Sequence, residues 1–87
     1  MPEILHLTLH RKYFAEIAAG EKTIEYRRVT PYWRRRLEGR KYDIIKFSNG
    51  YGANVPEMLV EFRGVRRDGA DYAIGLGRIL KVKRWRG

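Results

Sequence analysis

The sequence contains no cysteine, no long apolar run and few acidic residues relative to basic ones. Without cysteine the chain forms neither disulfide bonds nor thiolate metal ligands, which excludes the small disulfide-stabilised secreted domains. Without a long apolar run, no segment is suited to crossing a membrane. The first residues, Met1–Ile4, lack the basic-then-apolar layout of a signal peptide, so we expect a cytoplasmic protein.

The charge of the chain indicates a polyanionic partner. Nineteen Lys and Arg residues against ten Asp and Glu residues give a formal net charge of +9 in only 87 residues. A positive field of this size attracts polyanions and speeds their encounter with the protein. We therefore expect contact with nucleic acid, in preference to a charge that serves solubility alone. A membrane surface is not expected as a partner, because no amphipathic helix combines a broad apolar face with a basic flank.

Hydrophobic periodicity predicts one small domain, residues 1–87, with the order strand, helix, strand, helix and then several strands. Ile4–Leu9 alternates as a strand, and Arg11–Ala19 places apolar residues on one face of a helix that ends before Gly20. Further elements are predicted as strands at 22–28, 43–48, 57–65, 72–76 and 79–85, with a helix at 31–37. Consecutive strands late in the chain argue against a parallel sheet of βαβ units. We therefore expect an α+β fold, a small mixed but mostly antiparallel β-barrel with two short helices.

The densest group of polar side chains lies on the second predicted strand. Because side chains alternate along a strand, Thr23, Glu25 and Arg27 share one face, with Lys22 where the strand begins. A guanidinium binds phosphate through two hydrogen bonds, and a carboxylate accepts from a cytosine amino group. This face therefore predicts a nucleotide-binding site, and the alternative is a plain ion pair between Glu25 and Arg27. The opposite face, which we expect to contact the core, carries Ile24 and Tyr26.

A basic segment with interleaved aromatic residues follows that strand, over residues 27–41. Its predicted helix carries Arg34 and Arg35 among three consecutive arginines, and Glu38 is the one acid inside the segment. Aromatic residues beside arginines suit single-stranded nucleic acid, since bases stack and phosphates pair with the cations. The alternative is a solvated helix face whose Trp33 packs into the core.

Two other segments are candidates for contact with the same ligand. The loop after the third strand has flexible glycines around Tyr51, which would stack on a base while Asn49 or Asn54 bonds a base edge. Its alternative is an ordinary strand connection. The tail 78–87 carries only basic charges, and it either extends a phosphate-binding track or is loose.

Neither a metal nor another cofactor is expected. His6 and His10 are not spaced as metal ligands, and no third ligand type clusters with them. The Gly75-x-Gly77 pair lacks the wider glycine pattern and the following helix of a nucleotide-binding loop.

The pattern Gly-x-Lys-x-x-Glu-x-Arg, here at Gly20, Lys22, Glu25 and Arg27, resembles the signature of the ASCH domain of the PUA-like superfamily. Nearly the whole chain is similar to a compact single-domain branch of that family found in phages and bacteria, notably residues 5–9, 12–14, 47–52 and 72–80. The resemblance implies a small β-barrel that binds RNA or a nucleotide in a cleft between the first helix and the sheet.

The same resemblance implies a possible hydrolytic activity. One branch of the family hydrolyses the acetyl amide of N4-acetylcytidine with a lysine, a threonine and a glutamate. The lysine falls on Lys22, but Glu25 stands where that branch has its threonine, and Thr23 occupies a different motif position. For the family glutamate, Glu61 is the best candidate by strand placement. Other members are expected to cleave RNA.

Three functions therefore stand as hypotheses. The first is a domain that binds RNA or another single-stranded nucleic acid through Lys22, Thr23, Glu25, Arg27, Arg34, Arg35, Asn49 and Tyr51. The second is a hydrolase of a modified nucleoside or a ribonuclease, with Lys22 and Glu25 as catalytic residues and Glu25 activating a water molecule. The third is a phage-type protein that binds a host protein.

Overall fold

The computed structural model describes residues 1–86. In the first half of the chain, its helices and strands follow one another in the predicted order. The elements are β1 Ile4–Leu9, α1 Arg11–Ala18, β2 Ile24–Arg28, α2 Pro31–Leu37, β3 Ile44–Asn49, β4 Glu57–Asp68 and β5 Asp71–Lys83. The fold is thus a small α+β fold with two short helices. Within the described residues, neither helix has the length and apolar character that crossing a membrane requires.

The five strands form one mixed sheet in the order β1-β3-β4-β5-β2, which curves into a half-barrel. The pairs β3–β4, β4–β5 and β5–β2 are antiparallel, whereas β1 and β3 are parallel. The expected mostly antiparallel barrel is therefore matched only in part. A parallel pair needs a long crossover, and here α1, β2 and α2 together supply it between β1 and β3. The strands β1 and β2 stand at the two edges of the sheet.

The C-terminal half is one long hairpin, which corrects the prediction of separate strands at 72–76 and 79–85. β4 continues to Asp68, so the turn is shorter than predicted. Shifts in the β4–β5 register mark bulges, which bend the strands and interrupt the alternation along the chain. A Cβ on Gly77 would lie 2.9 Å from the Cβ of Glu61, so glycine permits the close approach of the two strands there.

The core lies between the concave face of the sheet and the two helices. Alternation places buried residues on β1 and β3 as predicted, and α1 adds Phe14 and Ile17 at helical spacing. Burying a side chain of this size contributes about 1.5–3 kcal/mol, so these two residues anchor α1 on the sheet. The core cluster comprises Leu5, Leu7, Leu9, Phe14, Ile17, Leu37, Ile45, Phe47, Met58, Val60, Tyr72 and Ile74.

The position of α2 is set at both of its ends. At the N-terminal end, Thr30 Oγ1 accepts a hydrogen bond from the backbone N–H of Trp33 at 3.2 Å, which caps the helix. At the other end Leu37 is buried, and the Tyr72 hydroxyl donates a hydrogen bond to the Glu38 carboxylate. Burial raises the pKa of the Tyr72 hydroxyl, and the Glu38 carboxylate adds to that rise. The helix therefore holds its first-turn aromatic residues in a defined place.

Candidate functional site

Glu25 lies on the buried face of β2, which reverses the predicted orientation of this strand. It pairs across the sheet with the core residue Ile74, and it is 7% exposed. Tyr26, which was predicted to contact the core, is 46% exposed, and Ile24 is only half-buried. The prediction that both residues contact the core is therefore wrong for Tyr26, and Ile24 is buried only in part.

Two cations compensate the buried carboxylate, and the three residues form what we name the charged triad: Lys22, Glu25 and Arg27. The Lys22 Nζ lies 3.4 Å from Glu25 Oε1, and Arg27 Nε donates to Glu25 Oε2 at 3.0 Å. A carboxylate can be buried only when such partners offset its lost hydration. The ion pair between Glu25 and Arg27 is thus present, and Lys22 adds a second cation. Each oxygen of the Glu25 carboxylate contacts one of the two cations.

Arg27 also links the two edges of the half-barrel. Its Nη2 donates to the backbone carbonyl of Thr8 on β1 at 3.0 Å, so the side chain spans from the β2 edge to the β1 edge. The guanidinium carbon lies 5.1 Å from the ring centroid of Trp33, close enough for a cation–π contact. These bonds use Nε and Nη2, which leaves the Nη1 hydrogens for a ligand.

A cleft of about 350 Å³ opens beside Arg27, and we name it the aromatic cleft. This volume lies within the usual range of small-ligand pockets. Tyr32 is 50% exposed and Tyr51 88% exposed, and the guanidinium carbon of Arg36 lies 4.4 Å from the Tyr32 ring centroid. The cleft therefore combines aromatic faces, imidazoles and a guanidinium held in place. Its walls come from β1, the α1 N-cap, β2, α2 and the loop after β3, namely His6, Thr8, Leu9, His10, Arg27, Tyr32, Trp33, Gly50 and Tyr51.

Arg27 and Tyr51 are the predicted site residues that line the aromatic cleft. Lys22 and Glu25 do not line it but lie beside it, in the charged triad that holds Arg27. The Lys22 ammonium lies 5.6 Å from the ring centroid of Tyr13 on α1. The ammonium, the carboxylate and the guanidinium thus form one connected group, of which only the guanidinium side chain lines the cleft.

The other predicted site residues lie outside the cleft. Thr23 is exposed, and its backbone carbonyl accepts a hydrogen bond from β5. Arg34 and Arg35 are exposed on α2. Asn49 Nδ2 donates to the backbone carbonyl of Leu9 at 3.1 Å, so this amide ties the end of β3 to the end of β1. Asn49 therefore holds the start of the loop that carries Tyr51.

Several cleft residues were not identified from the sequence. His6 and His10 were considered only as metal ligands, and Trp33 was expected to pack into the core in the alternative to nucleic-acid contact. Trp33 is half-buried, packs against the core and also lines the cleft. The available signal was local: His6 and Thr8 share one face of β1, and His10 follows at the helix start. Periodicity does not reveal that these residues meet Tyr32, because that contact depends on how α2 packs.

The aromatic cleft is not the cleft between α1 and the sheet that the family resemblance implied; a separate hollow lies there, lined by residues of α1 together with Val82 of β5. Next to α1, only the N-cap residue His10 borders the aromatic cleft, and the other walls belong to β1, β2, α2 and the loop after β3. Among residues 1–86, no three His, Asp or Glu side chains lie close enough together to hold a metal ion. Neither a protein-family model, nor a curated protein, nor a solved structure matches this chain.

Proposed function

We propose that this chain is a domain that binds single-stranded RNA, with a base or two held in the aromatic cleft. The observation that carries the proposal is the guanidinium of Arg27, held by Glu25 and Thr8 at the side of a cleft lined by Tyr32 and Tyr51. Unstacked bases bind by stacking on aromatic side chains, and a guanidinium pairs with a phosphate or a base carbonyl. The cleft offers both groups together.

The fixed position of Arg27 favours binding for a further reason. Ordering a long side chain at an interface costs about 0.5–1.5 kcal/mol of conformational free energy. When the fold already holds the side chain, this cost is part of folding and does not weaken binding. The Glu25 carboxylate and the Thr8 carbonyl supply that hold, at 3.0 Å each. The fold therefore fixes the orientation of Arg27 Nη1 before a ligand binds.

Tyr51 supports a stacking role because its ring is largely solvated. It is 88% exposed, and it lies in the loop between β3 and β4, next to Gly50 and Gly52 with φ of +96° and +110°. Packing in the domain does not account for a ring in this position, whereas a base stacked on it would cover one face. Loops held by a rigid scaffold commonly carry binding residues, and the Asn49 amide fixes the start of this loop.

The ASCH-like signature supports RNA as the ligand and a PUA-like architecture for the half-barrel. In the half-barrel of this chain the Arg27 side chain bridges β1 and β2, the two edges of the sheet. The formal charge of +9 supports a polyanionic ligand, and the sequence pattern supports a cytoplasmic setting in which RNA is abundant. For Glu25, engagement of both oxygens by cations supports a positioning role rather than activation of a water molecule.

Fluorescence anisotropy with a labelled oligouridylate tests the proposal. Stacking of one base contributes about 1–3 kcal/mol, so Tyr51→Ala should weaken binding by about 5- to 150-fold. Tyr26→Ala is the matched control, because it removes an exposed tyrosine that does not line the cleft. The affinity of the wild type should also fall steeply with salt. The proposal would be wrong if the wild type bound no RNA, or if the two variants bound equally well.

A further inference from the structure

A second concave surface lies at the other end of α2. It is a groove of about 600 Å³ between the residues that follow α2 and the middle of β4, and we name it the α2–β4 groove. Half-buried Phe62 and Val65 contribute apolar surface to it. Its charged lining is mainly basic, with Arg40, Lys41, Arg66 and Arg67.

The one carboxylate of the groove is already engaged. Glu38 accepts a hydrogen bond from the Tyr72 hydroxyl, and its Oε2 lies 3.9 Å from Arg67 Nη1. Within the part of the chain that the structure describes, Arg40, Lys41 and Arg66 have no carboxylate within ion-pair distance. The groove therefore keeps a surplus of positive charge that a ligand can neutralise.

Three basic residues on the strands away from α2, namely Lys46, Arg63 and Arg78, differ in this respect. Lys46 lies 3.6 Å from Glu57, and Glu61 lies within ion-pair distance of both Arg63 and Arg78. Carboxylates near these cations offset much of their attraction for a polyanion. Charge pairing thus favours a route along α2 over a route that relies on these three cations.

The helix α2 joins the two concave surfaces. Tyr32 and Trp33 in its first turn line the aromatic cleft, and Leu37 at its end lines the α2–β4 groove. Its seven residues span about 10 Å, and Arg34 and Arg35 are exposed. In the chain, these two arginines lie between the helix residues that line the cleft and the one that lines the groove.

We propose that the α2–β4 groove is a second phosphate-binding site, and that single-stranded RNA leaves the aromatic cleft along α2 and enters this groove. The inference rests on the proposed function, and it adds the route and the length of the ligand. A dinucleotide occupies the aromatic cleft alone, whereas an oligonucleotide of about ten residues, a usual site size for single-strand binders, reaches both surfaces.

Salt dependence measured on two variants of equal charge tests the route. Arg40→Ala/Arg66→Ala removes two groove cations, and Lys46→Ala/Arg63→Ala removes two cations that are paired with carboxylates and line neither surface. Each lost phosphate contact on a single strand reduces the slope of log K against log salt by about 0.7. For oligouridylate of about twelve residues, the slope for the groove variant should therefore be smaller by about 1.4 than the slope for the control variant Lys46→Ala/Arg63→Ala. With the dinucleotide, the two variants should bind alike.

The outcomes separate this inference from the proposed function. Equal slopes for the two variants on the long oligonucleotide would overturn the proposal that RNA enters the groove. Weaker binding by Tyr51→Ala would still support the proposal that RNA binds in the aromatic cleft. Polyglutamate of equal charge is the comparison ligand. If the wild type bound polyglutamate as tightly as RNA, and if Arg40→Ala/Arg66→Ala weakened the binding of both ligands equally, the groove would be assigned to acidic protein and the proposal would be overturned. Equal unfolding midpoints in guanidinium chloride confirm that both variants are folded.

Discussion

Glu25→Gln removes the negative charge of the triad while keeping the shape of the side chain. Glutamine can still accept one hydrogen bond from Arg27, but it leaves the Lys22 ammonium without a counter-charge. The guanidinium of Arg27 then loses part of the hold that directs it to Thr8 and the aromatic cleft. The substitution therefore tests whether the triad stabilises the fold and positions Arg27.

The expected cost follows from the geometry. At an effective dielectric constant of 20, charges 3.0 and 3.4 Å apart attract by about 5 kcal/mol per contact before desolvation is counted. Breaking a fully buried pair costs about 3–5 kcal/mol, but the Lys22 and Arg27 side chains are 21% and 19% exposed, which reduces the loss. We expect Glu25→Gln to lower the free energy of unfolding by about 2–3 kcal/mol, or the melting temperature by about 10–20 °C.

Urea unfolding followed by circular dichroism measures this loss, because urea is uncharged and does not screen the ion pairs as guanidinium chloride does. Asp71→Asn is the matched control, because it makes the same change of charge in the exposed pair with Arg28, whose atoms lie 3.9 Å apart. The control should lose about 0–1 kcal/mol. Equal unfolding midpoints for the two variants would refute the reasoning. If the wild type released acetate from N4-acetylcytidine, and if Glu25→Gln abolished this release without loss of stability, a catalytic role would replace the positioning role.

Two further predictions concern α2 and the effect of pH. Thr30→Ala removes the N-cap and should cost about 0.5–2 kcal/mol of unfolding free energy, whereas Thr30→Ser should retain most of it; equal stabilities of these variants in guanidinium would contradict the capping role. The backbone N–H of Arg78 donates to Glu61 Oε1, and this bond, aided by the charge of Arg63, holds the pKa of Glu61 below its usual value. Because the unfolded chain then binds the proton more tightly, this stabilisation is present above about pH 4.3 and is lost as the pH falls through the lower folded value. Glu61→Gln should therefore show a smaller loss of stability between neutral pH and about pH 3, and identical pH profiles would contradict the prediction.

The short elements of the first half could be predicted because their signals are local. Ile4–Leu9 and Pro31–Leu37 have the predicted bounds, since strict alternation and the Thr30 cap act within single elements. The long strand β5 was predicted as two strands, 72–76 and 79–85, because its alternation is regular up to Leu76 and poorer after Ile79, and Gly77 lies between the two stretches. Gly75 and Gly77 reflect the bulged contact with β4, which no single-strand pattern contains.

The candidate site was predictable only in part. The positions of Lys22, Glu25 and Arg27 indicated a polar group near a ligand, and Tyr51 indicated an exposed aromatic residue in a loop. The walls that complete the cleft come from segments far apart in the chain, such as His6 on β1. Their meeting depends on the parallel pairing of β1 with β3 and on the packing of α2.

The amino-acid sequence by itself determined the net charge, the ends of the short elements and the set of side chains that share each face of β2. Only the tertiary structure decided which face of β2 points inward. A period of two defines two faces, but burial depends on the partners that each face meets, and an apolar face was expected to be the buried one. Glu25 is buried because Lys22 and Arg27 neutralise it, and Arg27 can do so while spanning to Thr8 because the two edges of the half-barrel lie close together.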